Sequence, residues 1–398
     1  MRPQSRKYNI ICLSNQLWDY PLWTNKRHVM GRLAEKGHSV LFVDPFLNIG
    51  RVFLKHVFKK EWTLRRLATR IKKDFGVTIY TPLNAIPFGY KATELYIKKI
   101  NKISENIFDS SRKTLLWIYN VEITDIDKYI KGIKHDFLIY DCVDNYSAFP
   151  RYDTADKKRK ISTQEKYLAE KADAVFASAP GLVEKMRKFN PRTFYTPNVG
   201  DYERFKNTLS YKNQIPEEIK RIPEPRIGFT GAVDEYKFDT GLLKKVASDY
   251  PGYSFIIIGP MALKEREASK KALGVEDLNN VYYFDSRPYD QMVKYTAGFD
   301  VCIIPYQINE YTVGGCFPVK FHEQLAAGIP VVVTDLPAYA PFYDVCYISK
   351  SHNEFSQNIR RALQENSPEK VKERQKIAKE NTWDGKVNNM IKIINSLI

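Results

Sequence analysis

The stretch DVCIIPYQINEYTVGGCFPVKFHEQLAAGIPVVVTDLP, residues 300–337, decides the reading of this 398-residue chain. Val301–Pro305 is apolar and rich in β-branched residues, the composition of a strand buried on both faces. A loop containing Gly314 and Gly315 follows, then a helix beginning about Pro318, where proline suits the first turn. Gly328 is a natural helix terminator, and Val331–Val333 reads as a second buried strand. This order places the helix start beside a strand's carboxyl end. Its backbone N–H groups and dipole favour an anion, and glycines let one come close. Lys320 in the first turn adds a mobile cation for a diphosphate. Glu323, three positions on, shares its helix face, and its carboxylate can accept both hydroxyls of a ribose. A phosphate anchor beside a sugar clamp suits a nucleoside diphosphate.

Working outward, the same rhythm fills the chain. Strand-like runs occur at YNIICLS, HSVLFVD, VTIYTP, TLLWIYN, FLIYDCV and AVFASAP, and again at RIGFTGA, YSFIIIG, VYYFD, DVCIIPY, PVVVTD and VCYIS. Helical patterns separate them, which argues for parallel sheets covered on both faces. Polar residues and prolines near Lys206–Pro225 interrupt the rhythm. The expected architecture is α/β, with two doubly wound domains facing a cleft. Residues 1–205 form the first domain and 206–375 the second, while a helix over 376–398 packs back on the first. Ligands of such sheets bind outside the carboxyl ends of the strands.

Length and composition agree with two folded domains. The five cysteines are spread without a CxxC pair, which suits a reducing compartment and no structural zinc. The turn after the first strand, SNQLWDYPLW, lacks the glycines of a dinucleotide fingerprint, and neither a GxxxxGK[ST] loop nor HExxH occurs. Asp125-Ile126-Asp127 has the form of a DxD metal motif but lies in a polar, helical stretch, so no metal site is expected. The N-terminus reads as a strand, not a signal peptide, and no run is long and apolar enough to span a bilayer. These features point to the cytoplasm.

The net charge is +16, with 36 basic and 20 acidic residues among the first 200 and none of the excess beyond them. That asymmetry implies a polyanionic partner for the N-terminal half. Between Arg51 and Lys73 nine basic residues stand against one acid, Glu61. Phe53, Phe58 and Trp62 interleave with Lys59, Lys60, Arg65 and Arg66 at roughly helical spacing. Such a stretch suits a helix lying on an anionic membrane surface; the plainer reading is a surface helix whose apolar face joins the core. No nucleic-acid module accompanies the charge, so no nucleic acid is expected as partner.

Pro318-Val319-Lys320, Glu323 through Gly328 and Pro330-Val331-Val332 resemble the P-x-K-x-x-E-x-L-A-x-G-x-P-V-V signature of GT-B glycosyltransferases of group 1. Ile227–Asp239, Phe255–Pro260, Asn280–Met292 and Tyr195–Phe205 resemble further segments of that family, nearest its teichuronic-acid-type and xanthan glucuronosyltransferase-like branch. The resemblance implies a UDP- or GDP-sugar donor and no cofactor. It places the donor against Gly231, Lys237, Arg287, Tyr289, Gly314, Gly315, Phe317, Val319, Lys320 and Glu323. Many retaining members carry a second glutamate eight residues before the helix glutamate; here that position is Gly315. An inverting transfer needs a carboxylate base, and FLIYDCVDNYSAFP, which resembles the same branch, delivers Asp141 and Asp144 to a strand's carboxyl end. Asp144 is the expected base, with both aspartates otherwise serving as loop or helix caps. Asn15, Trp18 and His28 follow the first strand and are expected on the acceptor side.

The expected activity is transfer of a sugar from a nucleotide sugar to a lipid-linked or polysaccharide acceptor in cell-surface glycan synthesis, at the inner face of the membrane. A GT-B-fold epimerase would use the same nucleotide site without an acceptor. A non-catalytic basic binding protein would leave residues 318–332 without a purpose.

Overall fold

The computed structural model describes residues 6–20, 22–48, 70–84, 92–262 and 270–398. The N-terminal sheet contains β1 (Asn9–Leu13), β2 (Ser39–Val43), β3 (Ile71–Asp74), β4 (Val77–Tyr80), β5 (Thr114–Ile118), β6 (Phe137–Cys142), β7 (Ala174–Ala177) and β8 (Thr193–Tyr195). They lie in the order β8-β7-β6-β5-β1-β2-β4-β3. The C-terminal sheet holds β9 (Arg226–Thr230), β10 (Ser254–Ile258), β11 (Val281–Phe284), β12 (Val301–Ile304), β13 (Val331–Thr334) and β14 (Tyr347–Ser349), in the order β11-β10-β9-β12-β13-β14. Every pairing in these two sheets is parallel except β3 with β4. The central strands are buried along their whole length because helices cover both faces, which is why they read as unbroken apolar runs.

Strand order reverses between β1 and β5 in one sheet and between β9 and β12 in the other. Neighbouring connections diverge at such a point and open a crevice there. The two crevices face each other, and the site lies between them.

All twelve strands expected from the sequence are present, and β3 and β8 were not anticipated. The residues expected at a membrane, Phe53, Phe58, Lys59, Lys60, Trp62, Arg65 and Arg66, lie outside the described residues. The end of that stretch departs from helical spacing: Ile71, Lys72 and Lys73 belong to the antiparallel edge strand β3. Lysine on an edge discourages further pairing.

Six helices position the site: α1 (Asn25–Glu35), α2 (Pro180–Arg187), α3 (Glu310–Gly315), α4 (Val319–Ala326), α5 (Pro368–Glu380) and α6 (Trp383–Leu397). The chain leaves the second domain near Asn381 instead of residue 375. In α5, Arg374 donates to the Gly328 carbonyl at 3.1 and 2.8 Å, so that helix still belongs to the second domain. Thr382 then caps α6, whose Trp383, Val387, Met390 and Ile394 enter the core of the first domain. Gly200 bridges to Thr382, so both crossings between the domains run side by side.

Candidate functional site

The C-terminal wall starts from two turns. Gly231 after β9 has φ +131° and Gly259 after β10 has φ +148°, conformations that side chains rarely adopt. A Cβ on Gly259 would lie 2.1 Å from the Gly231 carbonyl oxygen, and one on Gly231 would lie 2.3 Å from Lys320 Nζ. The two turns therefore pack backbone to backbone and leave room for the Lys320 ammonium. That ammonium stands 3.8 Å from the centroid of Phe229 and 5.4 Å from that of Tyr306. Burial and the neighbouring Lys237 charge push Lys320 down to about 7. Lys237 itself pairs with Asp234. An anion placed here would restore the Lys320 charge.

Glu323 lies one turn along α4. Burial, more than the nearby Asp201 charge, pushes its carboxyl up to about 8, against the Tyr289 hydroxyl, Arg204 and Lys320. The Tyr289 hydroxyl donates to Glu323 Oε1. The Tyr289 ring stacks on Trp23 of the first domain at 5.2 Å, and the Arg204 guanidinium stands 4.8 Å from its centroid. The linker also closes on this helix, since a Cβ on Gly200 would lie 2.9 Å from the Glu323 backbone nitrogen.

Across the cleft, the Asp144 carboxylate follows β6 and accepts a 2.7 Å hydrogen bond from the Tyr311 hydroxyl of α3. Next to it, Asn145 receives Lys185 Nζ on its Oδ1 at 3.2 Å, and Lys185 is also ion-paired to buried Glu165 at 2.5 Å. The buried Lys26 ammonium feels both Asp144 and Asp141, although burial lowers its pKa overall. The half-buried Asp144 faces the second domain, and the fully buried Asp141 does not. The indole N–H of Trp117 donates to Asp141 at 3.1 Å, so this aspartate belongs to the sheet's interior.

Several expected site residues stand elsewhere. Gly314 and Gly315 lie in the short helix α3, not in a loop. A Cβ on Gly315 would meet Asn145 at 2.9 Å, and one on Gly181 would meet the Gly314 carbonyl oxygen at 2.5 Å. Those glycines let α2 and α3 of opposite domains touch, which is a different use from cradling a phosphate. The Arg287 guanidinium is held by Glu218 at 3.1 and 3.2 Å and by the Tyr295 hydroxyl at 3.0 Å. Phe317 is buried among Phe321, His322, Tyr339 and Phe342, and its carbonyl accepts from Asn198 at 3.0 Å. Val319 opens α4 against the core of the first domain.

Asn15 donates to the Tyr146 hydroxyl at 2.9 Å, near the end of β6. Trp18 is 1% exposed and donates its indole N–H to Asp74 at 2.7 Å, making it a core residue and not an acceptor contact. His28 is also fully buried, stacked on Trp383 at 4.6 Å and set edge-on to Tyr289 at 5.6 Å. Burial and three arginines keep it neutral, and it stands behind the Tyr289–Glu323 pair instead of on the acceptor side. His322 sits inside the aromatic cluster, pushed down to about 3 by burial.

Sequence reasoning missed Trp23, Lys26, Arg204 and Tyr311. Each reaches the site from another element, so no local motif marks it. Arg204 lies inside the family-like segment Tyr195–Phe205 and Tyr311 inside the stretch 300–337, but neither segment singled them out.

Comparison with known proteins adds three findings. Residues 224–365 match the family described as glycosyl transferases group 1. TuaH of Bacillus subtilis (strain 168), which carries the name of a teichuronic acid biosynthesis glycosyltransferase, is 28% identical over 267 residues. That match covers 63% of this chain and 64% of TuaH's length. Among solved structures, sucrose-phosphate synthase from Thermosynechococcus elongatus has a TM-score of 0.67 at 13% identity, covering 98% of this chain and 99% of its own. Anabaena Alr3699/HepE in complex with UDP-glucose has a TM-score of 0.67 at 14% identity, covering 98% of this chain and 100% of its own. The whole chain thus has the GT-B fold, and residues 224–365 are similar to the glycosyl transferases of group 1.

Proposed function

We propose that the protein transfers a hexosyl group from a UDP- or GDP-sugar to an acceptor bound by the first domain. The observation that carries this reading is the convergence of Lys320, Lys237 and Glu323 at the carboxyl ends of β9 and β12, with Asp144 opposite. Lys320, Lys237 and the start of α4 would take the diphosphate, and Glu323 the ribose. In the resulting displacement, Asp144 removes the acceptor proton while the two lysines stabilise the departing diphosphate. This scheme calls for no metal and inverts the anomeric carbon. The likeness to TuaH and to a structure containing UDP-glucose supports a nucleotide-sugar donor.

The acceptor in this reading is lipid-linked or a polysaccharide of the cell surface, met at the inner face of the membrane. Its support is the +16 charge, all of it carried by the first 200 residues. No helix among the described residues is long and apolar enough to cross a membrane, so contact would be peripheral. An epimerase would require acid and base groups around the donor sugar. Those groups would be carboxylates or histidines, and of the histidines His28 and His322 are both buried and neutral.

The test is thermal-shift binding against a panel of nucleotide sugars, comparing wild type with Glu323→Ala. A ligand that stabilises the wild type alone names the donor class. If no nucleotide sugar shifts either protein, the donor assignment is wrong. Sedimentation with phosphatidylglycerol vesicles tests the membrane reading separately.

A further inference from the structure

Tyr311 lies outside the signature segment, yet its hydroxyl is the hydrogen-bond partner found for Asp144, and the two belong to different domains. Its position is over-determined. The Asn309 side chain accepts from the backbone of Tyr311 and Thr312, both at 3.0 Å, and the Thr312 hydroxyl caps the Asn309 backbone in return. Asn309 also donates to the Tyr236 carbonyl at 2.7 Å, which ties α3 to the segment carrying Lys237. The Tyr311 ring packs on Tyr236 at 5.0 Å and on Phe149 of the first domain at 5.0 Å. Burial and the Asp144 charge keep the phenol protonated, so it donates.

We infer that Tyr311 is a positioning residue for the transfer: it fixes one carboxylate oxygen of Asp144 so that the other faces the acceptor hydroxyl. This inference rests on the reading of Asp144 as the base. In the step itself, the second Asp144 oxygen takes the acceptor proton as the acceptor oxygen bonds to the anomeric carbon. The bond from that carbon to the diphosphate breaks, and Tyr311 keeps its own proton throughout. Because donor and acceptor of this hydrogen bond sit on opposite domains, the base is aligned only when the domains are closed. Closure around the donor thereby becomes a condition for proton transfer.

The test uses Tyr311→Phe, which retains both ring contacts and removes only the hydroxyl. The probe is the nucleotide sugar identified by the thermal-shift panel, with water as acceptor and release of the nucleoside diphosphate as readout. The expected result is a kcat lowered about 100- to 1,000-fold, the range for loss of one preorganised hydrogen-bond donor, with KM for the donor within twofold of wild type. A kcat equal to wild type overturns the inference. So does a matching loss in donor affinity, which would make Tyr311 part of the donor loop's architecture. Asp144→Asn, measured alongside, separates the two readings. If it stays active, the assignment of the base fails; if it is inactive while Tyr311→Phe is normal, only the positioning role fails.

Discussion

Replacing Glu323 by glutamine perturbs the proposed ribose clamp without changing its shape. A hydrogen bond to a charged acceptor contributes about 1.5–3 kcal/mol, and a carboxylate gripping both ribose hydroxyls makes two of them. Burial pushes the carboxyl up to about 8, so ionising it at pH 7 costs roughly 1.4 kcal/mol, one pH unit. The amide keeps a neutral hydrogen bond of about 0.5–1.5 kcal/mol. At the middle of these ranges the net loss at pH 7 is about 2 kcal/mol, or roughly 30-fold in Kd. At pH 9 the wild-type carboxylate is already ionised, and the deficit of the variant grows by up to about tenfold. Titration calorimetry with whichever of UDP and GDP binds the wild type measures both values. Pyrophosphate, which has no ribose, serves as the control and should bind both proteins alike. If the folded variant binds the nucleotide within twofold of wild type at both pH values, Glu323 does not hold the ribose.

Lys320 is pushed down to about 7 and must be charged to hold a diphosphate, so pyrophosphate affinity should fall as pH rises through 7, by up to about tenfold per unit. Uridine or guanosine, which need Glu323 ionised, should instead bind more tightly up to about pH 8, and calorimetry at pH 6 and 9 would expose parallel trends as an error. Gly231→Ala sets a Cβ 2.3 Å from Lys320 Nζ at φ +131°, so it should lower pyrophosphate affinity at least about tenfold and cost about 1–3 kcal/mol in denaturant melts. Gly181→Ala places a Cβ 2.5 Å from the Gly314 carbonyl oxygen and should hold the domains apart. Small-angle scattering should then show a larger radius, with nucleotide affinity kept and transfer lost. Lys386→Met removes the buried ammonium that donates to the Thr196 carbonyl at 2.9 Å and offsets the buried Asp141 charge. Urea melts should show a loss of about 3–5 kcal/mol, the penalty for breaking a buried charge pair.

The strands were legible because a sheet covered on both faces demands unbroken apolar runs, and all twelve runs became strands. Lys320 and Glu323 were legible for a related reason: helical periodicity places positions three apart on one face, and Gly328, at φ +76°, stops the helix. β3 escaped notice because lysine and aspartate on an exposed edge carry no apolar pattern.

The amino-acid order alone determined the two-domain α/β plan, the helix that carries Lys320 and Glu323, and the half of the chain that carries the charge. Those properties follow from local periodicity and composition, which act within about a dozen residues. Only the tertiary structure decided that Gly314 and Gly315 serve domain contact, that Trp18 and His28 are interior, and that Arg287 is already held by Glu218. It alone brought Tyr311 to Asp144, 167 positions away in the chain, and Tyr289 to Trp23. Such pairings depend on how two sheets face one another, a geometry set by packing between elements that share no sequence neighbourhood.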